Sequence, residues 1–153
     1  REKICCYYLQ FFQRSAISGL SLGMDAPYLY RSLVFGAVCG LYRLIEGFEK
    51  QEIDIEKVIA VGGISKKSPY VMQMLSDLSG REIYILDSDQ TCAQGAAMYA
   101  AVGAGIYETL EVAAEHMAAK CIKICKPDSE KKDWYKKHYQ EYLKLAEAVN
   151  KLS

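Results

Sequence analysis

The chain has 153 residues, the length of one compact domain, and its 51% hydrophobic and 25% charged residues are ordinary for a globular fold. Nineteen Lys and Arg balance nineteen Asp and Glu, which excludes a global field that would gather nucleic acid or an anionic membrane. The opening REKICCYYLQFF has neither the apolar length of a membrane span nor the small-residue pattern of a cleaved signal, so a cytoplasmic chain is expected.

Asp25 is placed to cap a helix with Pro27 in its first turn, where proline is tolerated. Tyr30, Leu33, Val34, Ala37, Val38, Leu41, Leu44, Ile45 and Phe48 then recur at helical period. Gly36 and Gly40 share a face of this helix and would allow another backbone to approach closely. Residues 57–61 read as a short buried strand that runs into Gly62-Gly63 and a polar turn. Ser68 can cap the next helix, with Pro69 at its first position, Met72, Leu75 and Leu78 facing inward and Gly80 as its stop. REIYIL, residues 81–86, alternates and is rich in strand formers, which predicts a second strand. Three helices complete the order: alanine-rich from about Gln90 to Ala104, a shorter one over 108–119, and an aromatic amphipathic one after Pro127.

Two strands joined through a helix predict a parallel pair in an α/β arrangement. Parallel strands are normally covered on both faces, and this many long helices offer more apolar surface than so small a sheet absorbs. The sequence therefore reads as part of something larger. Six cysteines (Cys5, Cys6, Cys39, Cys92, Cys121 and Cys125) are expected as thiols, several of them within helical apolar patterns. Cys121 and Cys125 have no nearby histidine to complete a tetrahedral site, so no metal is expected there.

VIAVGGISKKSP, residues 58–69, carries the clearest functional signal. A strand that ends on glycines ahead of a helix is the usual geometry of a ligand site at the carboxyl edge of an α/β sheet. Glycine there admits positive φ and lets a flat or anionic ligand touch the backbone, while the following helix start offers free N–H groups. Neither G-x-G-x-x-G nor G-x-x-x-x-G-K-[ST] is present, and a plain tight turn accounts equally well for the local sequence. The second signal is SDQTCAQGAAMYAAVGAG, residues 88–105, whose small residues suit either a tightly packed core helix or a hinge.

Together VGGISKKSPYVMQMLSDLSGREI and DSDQTCAQGAAMYAAVGAG resemble the C-terminal domain of the FGGY carbohydrate kinases. GLSLGMDAPYLYRSLVFGAVCGLYRLIEGFE, residues 19–49, is similar to the helix that precedes this block in the family, and SDQTCAxGAAM together with the WYKKHYQEYLKL tail is most like its bacterial ribulokinase branch. The resemblance implies a partial actin-like, ribonuclease-H-like ATPase domain: residues 1–153 would be the C-terminal portion of the nucleotide-binding domain, with the N-terminal sugar-binding domain elsewhere. It implies ATP and Mg2+ as cofactors, with Mg2+ held mostly by residues outside this chain. The partner would be a small-molecule sugar bound through that other domain, with no nucleic acid or membrane involved and a homodimer admissible.

By the same resemblance Gly62 and Gly63 would lie against adenine and ribose, with Lys67 and Ser68 in the turn facing the base and Gln73 just inside the helix. The family often has Asn where Ser68 stands; serine keeps a donor and an acceptor but reaches less far, and it is equally a helix cap. Lys66 and Lys67 also read as solvated turn residues. Gly95, Ala96 and Ala97 match the helix at the interdomain hinge. No catalytic residue is assigned: Asp77, Asp87 and Asp89 fit no phosphate-loop or base motif, Cys92 reads as buried packing, and His116 and His138 read as helix-surface residues. A different ketose or polyol, a non-catalytic actin-like nucleotide module and a purely structural domain are the competing readings.

Overall fold

The computed structural model describes residues 6–8 and 16–151. Strands β1 (Cys6–Tyr8) and β2 (Ala16–Ser18) form an antiparallel pair. Helix α1 (Ala26–Glu49) follows, then β3 (Val58–Ala60), α2 (Gly63–Lys67), α3 (Pro69–Ser79), β4 (Ile83–Leu86), α4 (Thr91–Gly103), α5 (Leu110–Met117), β5 (Cys121–Cys125) and α6 (Ser129–Asn150). The expected α/β, helix-rich class holds, and β3 and β4 are the parallel pair, with Val58 opposite Ile83 and Ala60 opposite Ile85. The sheet differs from expectation in having a third strand: β5 runs antiparallel to β4, giving the order β3-β4-β5.

Local chemistry sets the helix ends. Asp25 caps α1, its Oδ1 accepting from the Tyr28 N–H at 2.9 Å. Replacing it with alanine is expected to cost about 1 kcal/mol, read as a shift in the urea midpoint with an unchanged slope. Asp128 caps α6 by accepting from the Glu130 N–H. Helix α3 stops where expected, at Gly80, whose φ of 69° is left-handed.

The core lies between one face of the sheet and three helices. Phe35, Val38, Cys39 and Tyr42 of α1 meet Met72, Leu75 and Leu78 of α3, Ile83 and Ile85 of β4, and Tyr135, Tyr139 and Tyr142 of α6. The aromatic tail therefore packs into the chain's own core. Tyr139 donates to Glu46 Oε2 at 2.6 Å, and burial together with that bond pushes its phenol upward from its ordinary pKa, so it stays neutral. Gly40 does not bring two backbones together: a Cβ added there would meet the Tyr142 hydroxyl at an ordinary 3.8 Å.

The opposite face of the sheet is bare among the described residues. Ile59, Tyr84 and Ile124 stand in register across it, with Ile59 54% and Ile124 42% exposed. The expectation of a buried strand at 57–61 is thus corrected: β3 is covered on one side only, and β3 is also an edge. Cys39, Cys92, Cys121 and Cys125 are free thiols, but Cys92 and Cys121 are exposed rather than packed, and Cys121 and Cys125 belong to a strand rather than a helix. Cys5 and the side chain of Cys6 lie outside the described residues. No described helix is long and apolar enough to cross a membrane.

Candidate functional site

Because β3 and β4 are parallel, their carboxyl ends open on the same edge of the sheet. The loop leaving β3 holds Gly62 and Gly63, and the loop leaving β4 holds Asp87, Ser88 and Asp89. The two glycines play different parts. Gly62 has φ 87° and ψ 178°, a conformation essentially reserved for glycine. It turns the chain sharply from β3 into α2, and its carbonyl accepts from Ser65 Oγ at 2.7 Å. Gly63 is the first residue of α2, has no positive φ, and would have nothing within 4 Å of an added Cβ. The fold requires glycine at 62. At 63 it leaves open space over the backbone.

Instead of a polar turn, residues 63–67 form the short helix α2, which ends on Ser68. Ser68 sits at the N-cap position of α3, but its side chain makes no capping hydrogen bond. The backbone holds the corner: the Ser68 N–H donates to Ile64 O at 2.9 Å, and its carbonyl accepts from the Val71 N–H at 3.1 Å. Lys67 is exposed, and Val61, Ile64 and Tyr70 present apolar surface beside the turn. A flat, largely apolar ligand finds here bare backbone, aliphatic walls and the Ser68 hydroxyl.

Gln73 is engaged elsewhere. Its Nε2 donates to Asp77 Oδ1 at 2.7 Å and to the Lys126 carbonyl at 2.8 Å, tying α3 to the connection between β5 and α6. The structure therefore gathers Gly62, Gly63, Lys67 and Ser68 in one corner, while the Gln73 amide binds within the fold. Sequence reasoning missed the role of Lys66. It is not a solvated turn residue, since its Nζ stands 2.8 Å from Asp87 Oδ1 and 3.2 Å from Asp89 Oδ1, bridging the two loops. Only the two lysines and the DSD triplet themselves signalled it.

Helix α4 begins beside this edge. Thr91 Oγ1, in its first residue, is buried with no hydrogen-bond partner among the described residues. Ala93, Ala96, Ala97 and Ala100 are exposed, and nothing lies within 4 Å of a Cβ built on Gly95. Ala101 is the buried residue of this helix. The small-residue helix thus leaves Ala96 and Ala97 exposed and Gly95 half-buried with room for a Cβ, and among the described residues it is no core helix. Among the described residues no three His, Cys, Asp or Glu side chains are grouped to hold a metal, and Asp87 and Asp89 are both engaged by Lys66.

Residues 7–104 match the model of the FGGY family of carbohydrate kinases, C-terminal domain. The chain belongs to the FGGY family. Within it the chain is similar to the ribulokinase of Vibrio parahaemolyticus, at 37% identity over 92% of this chain and 25% of that protein. It is likewise similar to the ribulokinase of Shouchella clausii, at 38% identity over 84% of this chain and 24% of that protein. The chain thus spans about a quarter of the length of these FGGY relatives. Xylulose kinase from Rhodospirillum rubrum shares the fold with a TM-score of 0.82 at 19% identity, over 97% of this chain and 31% of that one. Glycerol kinase from Plasmodium falciparum, solved with ADP, does so with a TM-score of 0.69 at 22% identity, over 90% of this chain and 27% of that one.

Proposed function

We propose that this chain is the adenosine-binding and hinge portion of an ATP-dependent sugar kinase whose substrate is ribulose, converted to ribulose 5-phosphate. The observation that carries the nucleotide half is the β3–α2 corner. There Gly62 holds a glycine-only turn at the carboxyl end of a parallel strand, and nothing lies within 4 Å of a Cβ built on Gly63. Adenine and ribose lie against that backbone, with Ser68 offering a hydroxyl to the base and Lys67 at the rim. Gln73 contributes by anchoring α3 rather than by contact, since its amide is already bonded.

The uncovered alanine face of α4 with Gly95, Ala96 and Ala97 is where the sugar-binding domain closes. Such closure excludes water and brings the two substrates together. Phosphoryl transfer also needs a group that orients the sugar hydroxyl and a Mg2+ ion that offsets phosphate charge. Neither is assigned to this chain: its acidic side chains at the sheet edge are paired with Lys66. Those parts belong to the remaining three quarters of a protein built like the matched relatives.

Ribulose is favoured over other sugars because the relatives at 37% and 38% identity are ribulokinases. The test is ADP release by the full-length protein with ATP and Mg2+, comparing ribulose, xylulose, gluconate and glycerol under one set of conditions. A kcat/KM for ribulose at least about 100-fold above the others is the expected result, within what one buried hydroxyl contact can discriminate. Preference for another of these sugars would move the substrate while leaving the nucleotide corner in place.

A further inference from the structure

Lys66 and Lys67 are neighbours in sequence but not in circumstance. Lys67 is exposed, whereas the Lys66 side chain is 25% exposed and lies across the sheet edge between Asp87 Oδ1 at 2.8 Å and Asp89 Oδ1 at 3.2 Å. The two carboxylates come from the loop that joins β4 to α4, and Asp89 stands two residues before Thr91, the first residue of that helix. The far side of the loop is also held, since the Asp87 N–H donates to the Lys120 carbonyl at 2.9 Å, just ahead of β5. Two aspartates two residues apart repel each other, and an ammonium between them offsets that repulsion. The same two contacts, Asp87 foremost, raise the Lys66 pKa, so the side chain is charged throughout the physiological range. A single exposed ion pair contributes little to stability. A lysine shared by two carboxylates more than twenty residues away instead fixes the relative place of two loops.

We infer that Lys66 is a positioning residue, a clamp that holds the glycine turn after β3 and the loop before α4 as one unit. The clamp itself rests on the three side chains. Its consequence for ligand binding rests on the nucleotide assignment made above. A bound nucleotide then meets both loops in fixed register, and the start of the uncovered helix α4 is tied to the turn that holds the ligand. Small misplacements of groups that orient a substrate have large effects, which gives such a clamp a function that stability alone does not.

The test uses Lys66→Met, Lys66→Arg, the double variant Asp87→Asn/Asp89→Asn and the combined triple variant in the full-length protein. Without nucleotide, Lys66→Met is expected to speed amide hydrogen exchange in residues 61–68 and 87–91 together. The KM for ATP is expected to rise about tenfold, as for residues coupled in one network, with kcat changing less. Lys66→Arg restores both readouts because guanidinium spans two carboxylates, and the triple variant is no worse than Lys66→Met. Unchanged exchange, or a change in only one segment, overturns the clamp. So does a rise in KM that Arg fails to restore and the aspartate variants do not share, since Lys66 would then touch the nucleotide itself. If exchange rises in both segments while the unaltered protein binds no ATP, the clamp stands and the nucleotide assignment falls.

Discussion

Valine at Gly62 is expected to destabilise the fold by about 1–3 kcal/mol, while valine at Gly63 leaves stability within about 0.5 kcal/mol and raises the KM for ATP about tenfold or more. The contrast follows from backbone and space. At Gly62, φ 87° and ψ 178° lie where a side chain on Cβ collides with its own backbone, and a β-branched residue is worst placed of all. At Gly63 the backbone is helical and open, so the fold accommodates a side chain. A ligand lying on that backbone does not, and a tenfold loss corresponds to about 1.4 kcal/mol of binding. Urea unfolding of each variant, beside the KM for ATP, separates the two effects. Equal destabilisation by both valines would make the glycine pair a folding requirement alone. Unchanged KM with Gly63→Val would remove the nucleotide from this corner.

Asp77→Ala is expected to cost about 3–6 kcal/mol, from two hydrogen bonds to a buried carboxylate at about 1.5–3 kcal/mol each. Asp77 is 2% exposed and accepts from Gln73 Nε2 at 2.7 Å and from the Asp128 N–H at 2.9 Å. It therefore joins α3 to the start of α6, the helix whose tyrosines complete the core. Without it the Asp128 N–H is left without its acceptor, while Gln73 keeps only the Lys126 carbonyl. Asp77→Asn retains one acceptor oxygen and is expected to lose about 1 kcal/mol, a neutral hydrogen bond replacing a charged one. Denaturant midpoints of both variants decide it. A loss below about 0.5 kcal/mol for Asp77→Ala, the level of an ordinary surface change, would contradict the link.

What could be read from the chain and what could not divides along physical lines. Helix α1 was legible as a helix from the recurrence of Tyr30, Leu33, Val34, Ala37, Val38, Leu41, Leu44, Ile45 and Phe48 and from Asp25 at its start. Its inner face was not, since Phe35, Val38, Cys39 and Tyr42 are buried while Tyr30, Leu41, Leu44 and Phe48 are exposed. Strand β4 was legible because Ile83 and Ile85 alternate toward the core. Strand β5 was not, since Cys121, Ile122, Lys123 and Ile124 are all exposed, so no buried period marks it. Its pairing with β4 is a matter of backbone hydrogen bonds, which any sequence offers. Helix α2 is five residues long, too short to show a period.

The site divides in the same way. The double glycine pointed to the corner, but only φ distinguishes the residue the fold requires from the one it leaves bare. Gln73 stood at a suggestive place in the helix, yet its amide is bound to Asp77 and to a carbonyl 53 positions away. The Lys66 bridge reaches 21 residues along the chain to Asp87, a distance over which local pattern carries no information. The bare alanines of α4 and the bare sheet face were foreshadowed by composition, because so short a parallel sheet cannot bury this much apolar surface.

The most direct measurement is photolabelling of the full-length protein with 2-azido-ADP, followed by peptide mapping with and without excess ATP. The expected result is ATP-protected label within residues 58–81, the stretch that runs from β3 through the glycine turn into α3. Label that ATP displaces only from other peptides, with 58–81 unmodified, would contradict a nucleotide site at this corner.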